Sequence, residues 1–324
     1  MMSVQRVDFV DLAKGICIFL VVIAHCKVPV KIPGLEIVRI PLYFVLAGLF
    51  YKDYGGFKEL LLKKTNRILV PFLFFYLIAY IPFYLLKYFS PQLLITDAGG
   101  ILDLFINRQF FNGPIWFLLA LFWCNIYYAL IRGVIKNEYI VLCIVLLIGF
   151  LGYHLGRVNF FAPLFMDVAL TAMPFFCFGT WLKKTPILYH NKYDKYNLFW
   201  VILLYLISWF ISDNFHFRLS LHYNKIEGIA TYFLAISSVL AILLLCKMIQ
   251  KIPIISYMGR YSIVLLCTHH LFYRPIKVVL DKQPYQWLDN VYMVAFLTII
   301  CCLAITPLCV RYIPYFVAQK DLIK

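Results

Sequence analysis

An all-α, polytopic membrane fold is predicted by composition, by segment length and by the shortness of what lies between segments. Of the 324 residues, 64% are hydrophobic and only 14% charged. A soluble domain averages about 45–50% apolar and about 25% charged residues. The apolar residues gather into ten segments, at approximately 8–26, 37–51, 68–87, 114–132, 139–155, 163–182, 197–212, 228–247, 261–278 and 291–311. Each is about long enough to cross roughly 30 Å of hydrocarbon. The connections leave no room for a soluble domain, so residues 1–324 are expected to form one integral-membrane unit, a bundle of about ten transmembrane helices.

The first segment has no small-residue cleavage site after it and carries Lys14 within it, so it is read as a retained helix. The second is short. The third follows the basic run Lys63-Lys64-Thr65-Asn66-Arg67, at the inner mouth between the second and third helices. The fourth opens at Gly113-Pro114, where proline suits a first helical turn. The fifth and ninth have uncertain ends. The sixth holds Asp167 mid-span, Glu227 opens the eighth, and the ninth ends near His269 and His270. Tyrosines and tryptophans at segment ends fit interfacial belts. Two outer connections are polar: 88–113, with Asp97, Asp103, Asn107, Arg108 and Asn112, and 213–227, with Asp213, His216, Arg218 and His222.

An even number of spans puts both termini on one side. With the N-terminus cytoplasmic, 19 of the 30 basic residues fall in inner segments. That asymmetry predicts an N-in, C-in arrangement. The net charge of +15 is therefore topological and lipid-facing. No basic stripe or RNA-binding signature accompanies it, so nucleic acid is excluded as a partner. The ten cysteines show no C-x-x-C and no Cys/His ligand spacing, which argues for packing over disulfides or metal.

The chemistry-bearing residues concentrate on the first helix. Lys14 and His25 are eleven residues apart, close to three turns, so they share one face about 16 Å apart along the axis. Asp11 lies one turn before Lys14 on much the same stripe. An intramembrane charge costs several kcal/mol unless it is paired or faces water, so the stripe marks a polar active-site channel. A neutral imidazole at His25 is suited to take a proton from an attacking hydroxyl. Lys14 suits an anionic substrate group; Asp11 is counted with the catalytic set and reads best as the group that orients Lys14. The run at Lys63–Arg67 suits phosphates, although such a run is also ordinary flanking charge at a membrane face. Adjacent His269 and His270 point to different faces, so one of them, His269, is expected to line a cavity. No further metal ligands stand at compatible spacing. Asp167 is an intramembrane carboxylate whose partner one sequence does not name.

These residues resemble a known pattern. Asp11, Lys14-Gly15-Ile16 and His25 resemble the first helix of the acyltransferase-3 family of integral-membrane acyltransferases, with Lys14 where arginine is commoner. Ile40-Pro41-Leu42-Tyr43-Phe44-Val45-Leu46-Ala47-Gly48 is similar to that family's second helix, with Ala47 in place of a serine. Lys64-Thr65-Asn66-Arg67 is similar to a basic pair in its first cytoplasmic loop. Trp116-Phe117-Leu118 and the stretch from Tyr261 to His269 match later positions. The likeness covers essentially the whole chain.

The resemblance implies an enzyme of the bacterial plasma membrane that moves an acyl group, usually acetyl, from cytoplasmic acyl-CoA to a sugar hydroxyl. The acceptor would be a surface glycan or its lipid-linked precursor. Acetyl-CoA would be a co-substrate, with no permanently bound cofactor. His25 would be the base or transient acyl acceptor, and Lys14, Lys64 and Arg67 would serve the acyl-CoA side. The alternative is a transporter or flippase for a lipid-linked sugar or small solute, since charged stripes also line transport paths.

Overall fold

The computed structural model describes residues 8–29, 35–89, 102–106, 111–188, 194–214, 219–281 and 290–323. Its helices are α1 (Asp8–His25), α2 (Leu35–Leu49), α3 (Phe57–Lys64), α4 (Val70–Phe89), α5 (Asp103–Ile106), α6 (Trp116–Val134) and α7 (Glu138–Arg157). They continue as α8 (Met166–Leu182), α9 (Asp194–Asn214), α10 (Ala230–Ile249), α11 (Pro253–Arg260), α12 (Ser262–Asp281) and α13 (Val291–Tyr312). A two-stranded antiparallel hairpin pairs β1 (Leu219–Ser220) with β2 (Lys225–Ile226).

Every one of the ten apolar segments is helical. Among the described residues, seven helices are long and apolar enough to cross a membrane. The first, second and seventh segments differ for visible reasons. Helix α1 carries Asp8, Asp11 and Lys14, α2 has 15 residues, and the apolar stretch of α9 runs only Tyr196–Ile211.

Helix α1, despite its charges, lies at the centre. It packs against α2, α10, α11, α12 and α13, with Leu12, Ala13, Cys17, Ile18 and Val22 fully buried. Asp8 and Asp11 occupy its first turn, where negative charge complements the helix dipole. It ends in a Schellman turn. Lys27 N–H donates to Ala24 O and Val28 N–H to Ile23 O, both at 3.0 Å, with Lys27 in the left-handed region at φ 60°. Lipid meets other helices: α7 exposes Leu146, Leu147 and Phe150, and α9 exposes Phe199, Trp200 and Phe210.

Two pairs of glycines set how closely the central helices approach. A Cβ on Gly15 would collide with the carbonyl oxygen of Ile255, and one on Gly259 with that of Asp11, so α1 and α11 touch backbone to backbone. The same reciprocity joins α2 to α8, where Gly48 faces Phe176 O and Gly179 faces Val45 O. Small residues permit this where hydrocarbon gives no hydrophobic drive to pack helices. The four glycines lie on four different helices, so no sequence-local repeat announces them.

Helix α2 is interrupted by Pro41, which has no N–H for the carbonyl of Ile37, and its ladder opens there. Helices α3 and α4 form one rod through a π-helical turn, Thr65–Leu69. The basic pair Lys64 and Arg67, expected in a loop, is therefore helical. The third helix begins near Phe57, about eleven residues before the apolar run, because amphipathic α3 buries Leu60 and exposes Lys58 and Glu59.

Candidate active site

Two cavities lie along α1, one at each end of the Lys14–His25 stripe. The first, about 230 Å³, is lined by Lys14, Lys64 and Arg67 above an apolar floor that includes Ala47, Phe50 and Leu118. Lys14 Nζ sits over the Phe50 ring, 5.4 Å from its centroid, and Lys64 Nζ stands 5.9 Å from the centroid of Tyr54. The π turn adds one residue to its helical turn and so re-aims Arg67 relative to Lys64. All three cations assigned to the acyl-CoA side from sequence meet here. Asp11 lines neither cavity; its carbonyl is the atom against which Gly259 packs.

A tail closes the outer side of this cluster. Lys63 Nζ pairs with Asp321 at 2.6 Å and Arg67 Nε with the same carboxylate at 3.2 Å. Arg67 also donates to Ala318 O. Buried Asn66 holds the tail backbone, accepting from Leu322 N–H at 2.7 Å and Ile323 N–H at 2.8 Å while donating to Ile323 O. The cations beside Asp321 hold its carboxyl below the usual carboxylate range.

The second cavity, about 320 Å³, is lined by His25, Arg39, Glu36, Trp116, Ser220 and His222, among others. His25 Nδ1 lies 2.8 Å from Val21 O. A carbonyl only accepts, so Nδ1 carries the hydrogen and Nε2 of the neutral ring carries the lone pair. His269 is held the same way, with Nδ1 donating to Leu265 O at 2.8 Å, and its fully buried Nε2 has no hydrogen-bond partner among the described residues. The His25 ring centroid lies 5.1 Å from that of His269 and 5.3 Å from that of His270. Both histidines of the adjacent pair flank His25, but neither lines either of these two cavities, contrary to the expectation for His269, whose ring is fully buried behind His25. Their side chains diverge by about 100° around α12, and His25 projects into the notch between them.

Arg39 was not singled out from sequence, although it is a cation inside an apolar segment just before Pro41, a signal in its own right. Its Nε donates to Glu36 O at 3.0 Å. Trp116 and His222 come from separate connections. Trp116 enters through the helical turn Gly113–Ile115, opened by Pro114 as expected, and its ring lies 5.4 Å from His222 and 5.5 Å from Phe165. Asn112 ties that turn to α12 by donating to Cys267 O at 2.8 Å, and its Oδ1 is buried without a partner among the described residues.

Asp167 explains how His222 is placed. Expected mid-span, it instead sits in the first turn of α8, which follows a turn with Leu164 and Phe165 at φ 53° and 60°. Asn224, which closes the β1–β2 hairpin at φ 51°, donates to Asp167 Oδ2 and to Gly152 O, each at 3.1 Å. Thr171 Oγ1 donates to Asn224 Oδ1 at 2.6 Å. Fully buried Asp167 is thus a positioning residue for the hairpin that carries His222. Glu227 is exposed and precedes α10. Asp97, Asn107, Arg108, His216 and Arg218 lie outside the described residues.

Aromatic rings line the cationic cavity. The ring of Tyr43 lies 5.4 Å from that of Phe117, and its hydroxyl donates to Lys14 O at 3.3 Å. Glu36, Ile37, Arg39, Ile40 and Pro41 of α2 line the imidazole cavity and Tyr43, Leu46, Ala47 and Phe50 the cationic one, so α1 and α2 run past both.

A cationic pocket and an imidazole pocket on one buried helix suit transfer of a group between an anionic donor and a hydroxyl acceptor. No curated protein and no solved structure matches this chain. A family model for an acyltransferase domain, acyltransferase-3, matches residues 7–307. That covers nearly all of the helical bundle and both cavities, and the chain belongs to the acyltransferase-3 family.

Proposed function

We propose that this membrane acyltransferase moves an acyl group, acetyl, from acyl-CoA to a hydroxyl of a cell-surface glycan or its lipid-linked precursor. The observation that carries the reading is the pair of cavities on α1, one holding Lys14, Lys64 and Arg67 and the other holding His25. In this reading coenzyme A phosphates meet the three cations from the cytoplasm. The long pantetheine arm runs past Tyr43 and Phe117 and carries the thioester toward His25.

At the acceptor, His25 Nε2 removes the hydroxyl proton as the oxygen attacks the thioester carbonyl carbon. The tetrahedral oxyanion needs a donor or a positive charge nearby, and Arg39 on the same cavity wall supplies one. Collapse breaks the C–S bond, and the imidazolium returns its proton to the departing thiolate. The products are an ester and free coenzyme A. A covalent route through acyl-His25 uses the same residues in two steps. Trp116 and His222 offer flat faces suited to the apolar face of a sugar ring. An N-in, C-in orientation in a bacterial plasma membrane puts the cationic cavity on the cytoplasmic side, where acyl-CoA is.

The test is labelled acetyl-CoA with vesicles of purified protein and a panel of glycan acceptors, comparing wild type with His25→Ala. The reading expects labelled ester and released coenzyme A from wild type, and a loss of about 10²–10⁴-fold in the variant. Movement of unmodified substrate with no coenzyme A released would favour a transporter or flippase.

A further inference from the structure

A third site lies on the far side of α2 from the cationic cavity. Ala47 and Phe50 line that cavity, whereas Gly48 and Tyr51, on the other face, line a polar pocket of about 250 Å³. Five cations surround this pocket: Lys52, Arg132, Lys136, Lys183 and Lys184, with Asp53 among them. The pocket shares Tyr128, Arg132, Lys136, Thr180 and Lys184 with an apolar trough of about 800 Å³ between α7 and α8. The trough is walled by side chains such as Leu142, Leu146, Phe178 and Trp181, and three of these (Leu142, Leu146 and Trp181) are about half exposed. These face the same way as the lipid-exposed side of α7. The joined space is therefore polar and cationic at one end, apolar along its length, and open sideways to hydrocarbon.

The C-termini of α2, α6 and α8 all end here, each bringing about half a negative charge. Asp53 and Glu138 add one each, and Glu138 pairs with Lys184. Together these offset about three and a half of the five positive charges. The group's other hydrogen bonds go to main-chain oxygens. Arg132 donates to Lys136 O at 3.0 Å, Lys136 to Arg132 O at 2.9 Å, and Lys183 to Tyr51 O at 2.9 Å. A surplus of more than one positive charge remains at the mouth of an apolar trough.

We infer that this site binds an anionic phospholipid from the leaflet on the Lys14 side, its phosphate in the polar pocket and one acyl chain in the trough. Charge complementarity selects the anion, and the lateral opening selects a lipid over a soluble phosphate. The site does not depend on acyl transfer and uses none of the residues assigned to that reaction.

Native mass spectrometry of the full-length protein, released from detergent after incubation with defined lipid, reads this directly. Phosphatidylglycerol should be retained about tenfold better than phosphatidylcholine of the same chains, since each cation near a membrane surface contributes appreciably. The pair Arg132→Gln with Lys136→Gln should abolish that preference, and Lys277→Gln, at a remote ion pair, should leave it intact. Leu146→Trp, which fills the trough from a half-exposed position, should cut retention of both lipids. Equal retention of the two lipids, or retention unchanged in both Arg132→Gln/Lys136→Gln and Leu146→Trp, would overturn the inference. Displacement of phosphatidylglycerol by equimolar inorganic phosphate would assign the pocket to a soluble anion instead.

Discussion

The two ends of α1 are built differently. At the Lys14 end, long flexible cations from α1 and the α3–α4 rod converge over an apolar floor, and a carboxylate from the C-terminal tail pairs with Arg67 and neighbouring Lys63. At the His25 end, flat and rigid groups dominate: three imidazoles, Trp116 and a second ring system around His222. Cations on flexible stems hold a charged group without fixing its position closely. Rings locked by main-chain hydrogen bonds fix an angle of attack, which is what proton transfer requires. In the proposed reaction, affinity for donor falls to one end and geometry for the chemistry to the other.

The largest expected effect breaks both ends at once. Gly259→Leu drives a side chain into the Asp11 carbonyl and pushes α11 off α1, so the predicted outcome is loss of folded protein, read as yield of monodisperse material and thermal unfolding. A variant that keeps wild-type Tm would contradict the close packing. His269→Ala separates chemistry from binding: kcat should fall about tenfold or more while both KM values hold, because the ring flanks the base and lines neither the donor cavity nor the sugar-stacking wall. Asn224→Ala releases the His222 hairpin from Asp167 and should raise the KM for acceptor severalfold, with the KM for acyl-CoA unchanged.

The smallest effect concerns the tail. The Asp321 carboxyl is held below its ordinary value by Lys63 and Arg67, so its contribution to tail docking is fully present above about pH 4, the unfolded value. It is lost as pH falls from there through the lowered folded value. Protection of the Asn66-bound amides of Leu322 and Ile323 in hydrogen exchange should accordingly be flat from pH 7 to pH 5, after correction for the intrinsic rate, and should drop only in stronger acid. An Asp321→Asn variant should show the weaker protection at every pH.

The helices were legible because hydropathy alone marks a segment that must satisfy its own backbone in lipid. Lys14, His25, Lys64 and Arg67 were legible because charge in such segments is costly, and two of them lie on one helix at a readable spacing. Arg39 carried the same signal and stood in a segment read mainly for its apolar residues. Other features were not local. Trp116 and His222 meet only after the chain between them has folded, and Asp167 finds Asn224 across 57 residues. The glycines that bring α1 to α11 and α2 to α8 lie on separate helices, so no spacing within one segment reveals them. The π turn under Arg67 likewise has no composition of its own, since its residues would suit an α-helix equally well.

The central claim is that α1 divides donor from acceptor, and a crossed kinetic measurement tests it most directly. KM is determined for acetyl-CoA and for acceptor in Lys14→Ala and Trp116→Ala, with folding checked in each. The account predicts that Lys14→Ala raises the KM for acetyl-CoA about tenfold or more and leaves that for acceptor alone, from the loss of one charge-assisted contact. Trp116→Ala should do the reverse, by about fivefold. If either variant shifts both constants together, or the two shifts are exchanged, the division of labour along α1 is wrong.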